Sequence, residues 1–225
     1  DTLNVDVNRQ NAKAYCMLKY YKTSINRYEA LKAMGDRSFT TLYYLGVSQY
    51  ADNWPYGARD NLLEAHKKNP MDVNVLYYLA KACARSSWKE EGIAYMNKAF
   101  DMVVPTDSMM IRLYDGLLEC YKFHTKADPY EKIEVMKEAY SYTKRYTLFY
   151  QIAEIYDYQK DYVNAVHYYE KYMALVPKNK QTALDSEGNP LPNADTMYQK
   201  ARRRVEKIKV EDFFRNGAHD DYFEW

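Results

Sequence analysis

Glycine and proline are scarce in this 225-residue chain, with 7 of each, and cysteine and tryptophan are scarcer still, with 3 of each. So few turn formers disfavour sandwiches, barrels and Gly-rich phosphate-binding folds, all of which need many tight turns, and favour helices. Net charge is also missing: 32 Lys+Arg against 31 Asp+Glu leave +1. No global field therefore draws nucleic acid or an anionic membrane surface. No run approaches the roughly 20 apolar residues of a transmembrane helix, and no export signal is visible. The chain starts at Asp1, not Met. A fragment or a processed form is expected, with the compartment open between the cytoplasm and, after removal of a signal, the periplasm or cell envelope. Cys16, Cys83 and Cys120 are an odd number at wide spacing, unlike a zinc or redox motif, and are read as buried packing thiols.

What is present is 47% hydrophobic and 28% charged residues, the composition of a water-soluble globular protein, and one excess: 26 Tyr against 7 Phe. A repeat organises much of it. Leu42-Tyr43-Tyr44-Leu45-Gly46 returns 34 residues later as Leu76-Tyr77-Tyr78-Leu79-Ala80. Downstream, Ala58, Leu62 and Ala65 return as Gly92, Met96 and Ala99, with Pro70 and Pro105 near the ends. A third copy carries Phe149, Ile152, Ala153, Tyr156, Ala165, Tyr169, Tyr172 and Pro177. A looser unit between them aligns Leu113-Tyr114-Asp115-Gly116-Leu117 with the Leu-Tyr-Tyr segments and supplies Met136 and Ala139 later on.

Large residue, Leu-Gly, Tyr, then Ala, aromatic, Ala and Pro at a period of 34 resembles the tetratricopeptide repeat (TPR), a helix-turn-helix unit. The small residues Gly46, Ala80, Ala153, Ala58 and Ala165 let the two helices of a unit approach closely, and the proline stops the second helix. The resemblance implies an all-α, right-handed superhelix, an α-α solenoid. Its expected parts are a degenerate N-terminal unit over 1–38, repeats over 39–72 and 73–109, a divergent repeat over 110–145, and a repeat over 146–179. A loop insertion over 180–194, a capping helix over 195–215 and a tail over 216–225 follow. Asn8 and Asn11 stand where the first unit should carry large apolar groups. Ser87-Trp88-Lys89-Glu90 predicts a capping box, and Asp128-Pro129-Tyr130-Glu131 an N-cap with proline in the first turn. Asp195 is expected to cap the last helix, whose apolar stripe is Met197, Ala201, Val205 and Ile208.

The family resemblance also implies a concave wall of first helices that binds peptides or partner proteins. The residue pointing most directly into it is Tyr43, Tyr77, Tyr114 and Tyr150. The next turn carries Tyr50, Ala84, Tyr121 and Asp157, with Val47, Lys81, Arg85, Lys122, Glu154 and Tyr158 beside them. Tyr suits such a role because it offers rigid contact area and a hydroxyl at low entropic cost. Duplication of the repeat could equally have copied a Tyr that binds nothing. Lys81, Arg85 and Lys122 could pair with an acidic ligand. The carboxylate clamp of chaperone-binding members is not matched, since Tyr43, Val47, Tyr78 and Ile111 or Thr147 stand at its positions.

Chemistry for catalysis or metal binding is not found. His66, His124, His167 and His219 are scattered, with no i, i+4 pairing of ligands. Asp185 to Asn189 lacks the spacing of a calcium loop. Cys83 and Cys120 fall on neighbouring helices, about 8–10 Å apart between axes, too far for an unstrained disulfide. A non-enzymatic protein-protein interaction scaffold without cofactor or metal is expected, its partner a protein or peptide. The alternative is a cell-envelope protein that binds a glycan or small molecule on the same tyrosines. Arg202-Arg203-Arg204 with Lys200, Lys207 and Lys209 is read as a solvated face or a dock for an acidic protein. The aromatic tail, Tyr222-Phe223-Glu224-Trp225, could mediate self-association.

Overall fold

Helix is the only extended regular structure among the described residues of the computed structural model, which are 4–184, 186–189, 191 and 196–216, without the side chains of 215 and 216. The chain divides into two compact units, Asp1–Ala127 and Asp128–Trp225. The division falls inside residues 110–145, expected as one divergent repeat.

The first unit contains α1 (Val5–Met17), α2 (Tyr21–Ala33), α3 (Phe39–Ala51), α4 (Pro55–Lys68), α5 (Val73–Ala84), α6 (Lys89–Asp101) and α7 (Asp107–Phe123). Short turns make consecutive helices antiparallel neighbours. The odd-numbered helices also touch one another, α1 on α3, α3 on α5 and α5 on α7, and so form one side-by-side layer. Residues matched across the repeat are the core: Leu42, Leu45, Leu62, Ala65, Leu76, Leu79, Met96 and Ala99 are all fully buried. Gly46 shows why the repeat wants a small residue. A Cβ there would stand 2.5 Å from Leu62 Cγ and 3.1 Å from the Ala58 carbonyl oxygen, so α3 and α4 pack closer than any side chain permits.

The turn after the first helix of a hairpin is also shared. Lys19 and Asn53, and Lys160 in the second unit, adopt φ of 64°, 63° and 63°. In each the following N–H reaches back to the carbonyl five residues earlier: Tyr20 to Tyr15, Trp54 to Gln49, Asp161 to Tyr156. This left-handed ending satisfies carbonyls that the helix leaves open. It closes the N-terminal hairpin too, where Ala12 and Tyr28 are fully buried, Asn8 is half-buried and Asn11 is exposed.

The second unit holds α8 (Pro129–Thr143), α9 (Thr147–Tyr158), α10 (Tyr162–Leu175), a 3-10 turn at Lys178–Lys180 and α11 (Met197–Asn216). Each helix packs on the next. Phe149, Ile152, Ala153, Ala165, Val166, Tyr169 and Tyr172 make a core that Ala201, Val205 and Ile208 of α11 complete. Burying an Ile or Val side chain contributes about 1.5–3 kcal/mol, enough to hold α11 on α10. The Leu191 N–H donates to the Ala183 carbonyl at 2.8 Å.

Two local expectations are corrected. Ser87 forms no capping box, because α6 begins with Trp88 at the cap position. The Ser87 hydroxyl instead meets the Tyr56 hydroxyl at 3.3 Å. Met197 is 43% exposed, so α11's apolar stripe starts a turn later, at Ala201. At the start of α11 the Thr196 Oγ1 accepts from the Gln199 N–H at 3.2 Å; Asp195, expected as the cap of this helix, lies outside the described residues, as does the tail beyond 216. Asp128 does cap α8, accepting from the Tyr130 N–H at 2.9 Å with Pro129 in the first turn.

Candidate peptide-binding face

Helix starts fix which residues share a register on the odd-numbered layer. α3, α5 and α7 start at Phe39, Val73 and Asp107, each 34 residues after the last. Tyr43 and Tyr77 are therefore followed in register by Ile111, and Tyr44 and Tyr78 by Arg112. Tyr114 belongs three residues further along α7, a turn away from where the sequence motif aligned it. Its ring packs on Phe100 of α6 at 4.9 Å, and it is 8% exposed. Tyr150 lies in the other unit, half-buried between Tyr169 and Tyr172 of α10 at 5.5 and 5.3 Å.

Of the tyrosines expected to form one ladder, Tyr43 and Tyr77 therefore share a register that Tyr114 does not. In the first unit a strip of rings does form, but its members are Tyr44, Tyr43, Tyr78 and Tyr77. Tyr43 meets Tyr44 edge-on at 4.9 Å and Tyr78 at 6.3 Å, and Tyr78 meets Tyr77 at 5.2 Å. Such pairs contribute about 0.5–1.5 kcal/mol each beyond area burial. Tyr43, Tyr44 and Tyr78 are half-buried and keep edges open to solvent. Tyr77 is covered: a Cβ on Gly116 of α7 would come within 2.8 Å of its Cε2. Val47 is partly buried against the cluster of Tyr50, Leu79 and Ala82.

Below the strip lies a charged knot. Glu119 of α7 accepts from the Tyr50 hydroxyl at 2.6 Å, and its carboxylate pairs with Lys81 at 3.0 Å and Arg85 at 2.6 Å. The Lys81 ammonium also stands 5.1 Å above the Tyr50 ring and 4.9 Å above Tyr77, and Arg85 stands 4.5 Å above Tyr50. Burial by itself would raise the Glu119 carboxyl, but the Tyr50 and Lys81 hydrogen bonds and the two cations outweigh it and hold it below its ordinary value. Burial likewise pulls Lys81 down, and Tyr77, Glu119 and Tyr50 together push it up. Lys81 and Arg85, named as residues that could pair with an acidic ligand, already have Glu119 as their carboxylate. Tyr50, at 7% exposed, is part of this knot and not an open contact.

The remaining expected residues are spread out. Tyr121 is buried and Lys122 exposed at the end of α7. Glu154 and Tyr158 of α9 face solvent, Tyr158 with 84% exposure. Asp157 is clasped by Arg204 of α11 through two bonds of 2.6 Å. That pair takes Arg204 out of the basic cluster, and Lys209 is paired with Glu170 at 2.8 Å, which weakens the reading of α11 as a dock for acidic proteins.

Sequence reasoning missed Glu119, Arg112, Tyr44 and Tyr78. A signal existed, because Glu119 follows Arg85, and Arg112 follows Tyr78, by one repeat length. Among the described residues no three His, Cys, Asp or Glu side chains converge as metal ligands. No described helix is long and apolar enough to cross a membrane. Cys83 and Cys120 are buried thiols, pushed by burial to about 11 and about 12.

No family model and no curated protein matches the chain. Solved structures do. The C-terminal part of a TPR repeat-containing protein from Cytophaga hutchinsonii superposes with a TM-score of 0.68 at 18% identity, covering 92% of this chain and 74% of that one. MamA of MSR-1 gives 0.62 at 13% identity, over 76% and 95%. YrrB, described as a TPR protein with an unusual peptide-binding site, gives 0.60 at 12% identity, over 76% and 86%.

Proposed function

We propose that this chain, which has the tetratricopeptide-repeat fold, is a non-enzymatic scaffold that binds a peptide or a partner protein on the odd-numbered helices of its first unit. The half-buried members of the strip, Tyr44, Tyr43 and Tyr78, carry the reading. Helices α3 and α5 present half-exposed aromatic rings side by side, fixed by mutual edge contacts, so a partner meets a surface already ordered and loses little entropy in binding. Likeness of fold to YrrB, whose description includes a peptide-binding site, supports the same class. Function on this fold lives in side chains grafted onto the scaffold, not in the fold.

The test places a photocrosslinking amino acid at Val47 or at Tyr78, and separately at exposed Tyr130 as a control, in the full chain mixed with lysate of the native organism. Specific adducts from positions 47 and 78, lost when Tyr43 is replaced by Ala with helical circular dichroism intact, are the expected result. Equal labelling at all three positions, or none at 47 and 78, would sink the proposal.

A further inference from the structure

Two cations frame the tyrosine strip. At one end the Lys13 ammonium stands 5.2 Å from the centre of the Tyr44 ring. At the other, the Arg112 guanidinium stands 4.4 Å from the centre of Tyr77, and its Nη1 donates to Asn74 Oδ1 at 2.8 Å. Among the described residues neither cation has a carboxylate within ion-pair distance. Asp72 caps α5 through the Asn74 and Val75 N–H groups, and Glu119 holds Lys81 and Arg85.

An Arg fixed by a ring below and an amide at one nitrogen still has donors to offer in a planar fork, the geometry that matches a carboxylate. Contact with the Tyr77 ring and the bond to Asn74 hold the guanidinium in place before any ligand arrives, and the unneutralised charge is what an anion would complete. We infer that the strip takes an acidic polypeptide segment of a partner protein, one carboxylate on Arg112 and another on Lys13, with apolar or aromatic side chains lying on Tyr43 and Tyr78 between them. This deepens the peptide-binding reading and rests on it. Lys13 and Arg112 belong to α1 and α7, with α3 and α5 between. Both cations reach inward over rings of α3 and α5, and the chain of ring contacts between them bounds the gap at about 26 Å, which an extended segment crosses in about eight residues or fewer.

The probe is a fluorescent peptide of about ten residues, with two Glu at each end and alternating Phe and Ser between, titrated into the full chain and followed by anisotropy. Its control has Gln at every Glu. The Glu peptide is expected to bind with an affinity that falls with added salt, to weaken about tenfold with Arg112→Gln, and to recover in part with Arg112→Lys. The Gln peptide should bind at least about tenfold more weakly than the Glu peptide. Lys13→Gln is the second variant, and circular dichroism confirms that each folds. Equal binding of both peptides, lost with Tyr78→Ala, overturns the acidic class while the peptide-binding reading stands. Binding of neither peptide, with crosslinks at positions 47 and 78 absent as well, overturns both. Self-association of the chain that depends on Arg112, with no binding of added peptide, assigns the strip to a second copy and overturns the inference.

Discussion

Arg85 and Glu119 are one repeat length apart in sequence and 2.6 Å apart in space, joined across the α5–α7 seam. With Lys81 and the Tyr50 hydroxyl they tie three consecutive helices of one layer, so the spacing of the surface above them depends on a single carboxylate.

Removing that carboxylate should loosen the layer. Glu119→Gln leaves Lys81 and Arg85 partly buried without an acid and is expected to cost about 1–3 kcal/mol, below the figure for a fully buried pair because solvent screens this one. The folded carboxyl sits below its ordinary value. Its stabilising contribution is therefore complete above the unfolded value, about 4.3, and disappears as pH falls through the folded one. Urea titrations at several acidic pH values should show the wild-type curve dropping more steeply than that of the variant. Parallel curves would mean that the knot contributes nothing.

Alkali should act through the tyrosines. Burial raises Tyr28, Tyr43, Tyr50 and Tyr169 above the ordinary phenol value. Folded groups that hold their protons longer than unfolded ones stabilise fully below the unfolded value, about 10, and lose that contribution as pH rises through the folded value. A titration of tyrosinate absorbance should show a fraction of the rings ionising late and only together with loss of helical signal. Ionisation of all rings near the ordinary value, with the helix intact, would contradict the packing described.

Gly46→Ala tests the close approach of α3 and α4. Its Cβ would meet Leu62 Cγ and the Ala58 carbonyl, and because the second is backbone, rotamer change cannot relieve all of the contact. A loss of about 1–3 kcal/mol is expected in chemical denaturation, despite alanine's better helix propensity. A gain in stability would show that the helices separate at little cost.

Arg204→Ala should free α11. Asp157 would lose both of its 2.6 Å bonds, while Ala201, Val205 and Ile208 stay in the core. Amide exchange is expected to quicken in α11 and the end of α9 before it changes in the rest of the second unit. The Asp157→Asn variant should show the same pattern more weakly, since an amide still accepts one bond. Uniform acceleration across the unit would assign the pair a global role.

Much of the fold was legible because a repeat multiplies each signal. Leu42 and Leu76, Ala65 and Ala99, Leu62 and Met96 recur at a fixed distance, and a core position that recurs is hard to mistake for chance. The capping of α8 by Asp128 was legible for a local reason, since an N-cap needs only neighbours in sequence. Ser87 misled because a capping box is set by where the helix begins, and Trp88 took that place. Tyr114 misled because the motif Leu-Tyr could be aligned at two offsets one helical turn apart, and only the start of α7 at Asp107 chooses between them.

The sequence by itself determined the helical class and the 34-residue period, because hydrophobic periodicity and small residues at close approaches are written along the chain. Tertiary structure decided which tyrosines touch, that Glu119 neutralises Lys81 and Arg85, that Arg204 closes on Asp157, and that Lys13 and Arg112 are left framing the strip. Those outcomes depend on the distance between side chains of different helices, where a shift of one turn exchanges a ring for a charge.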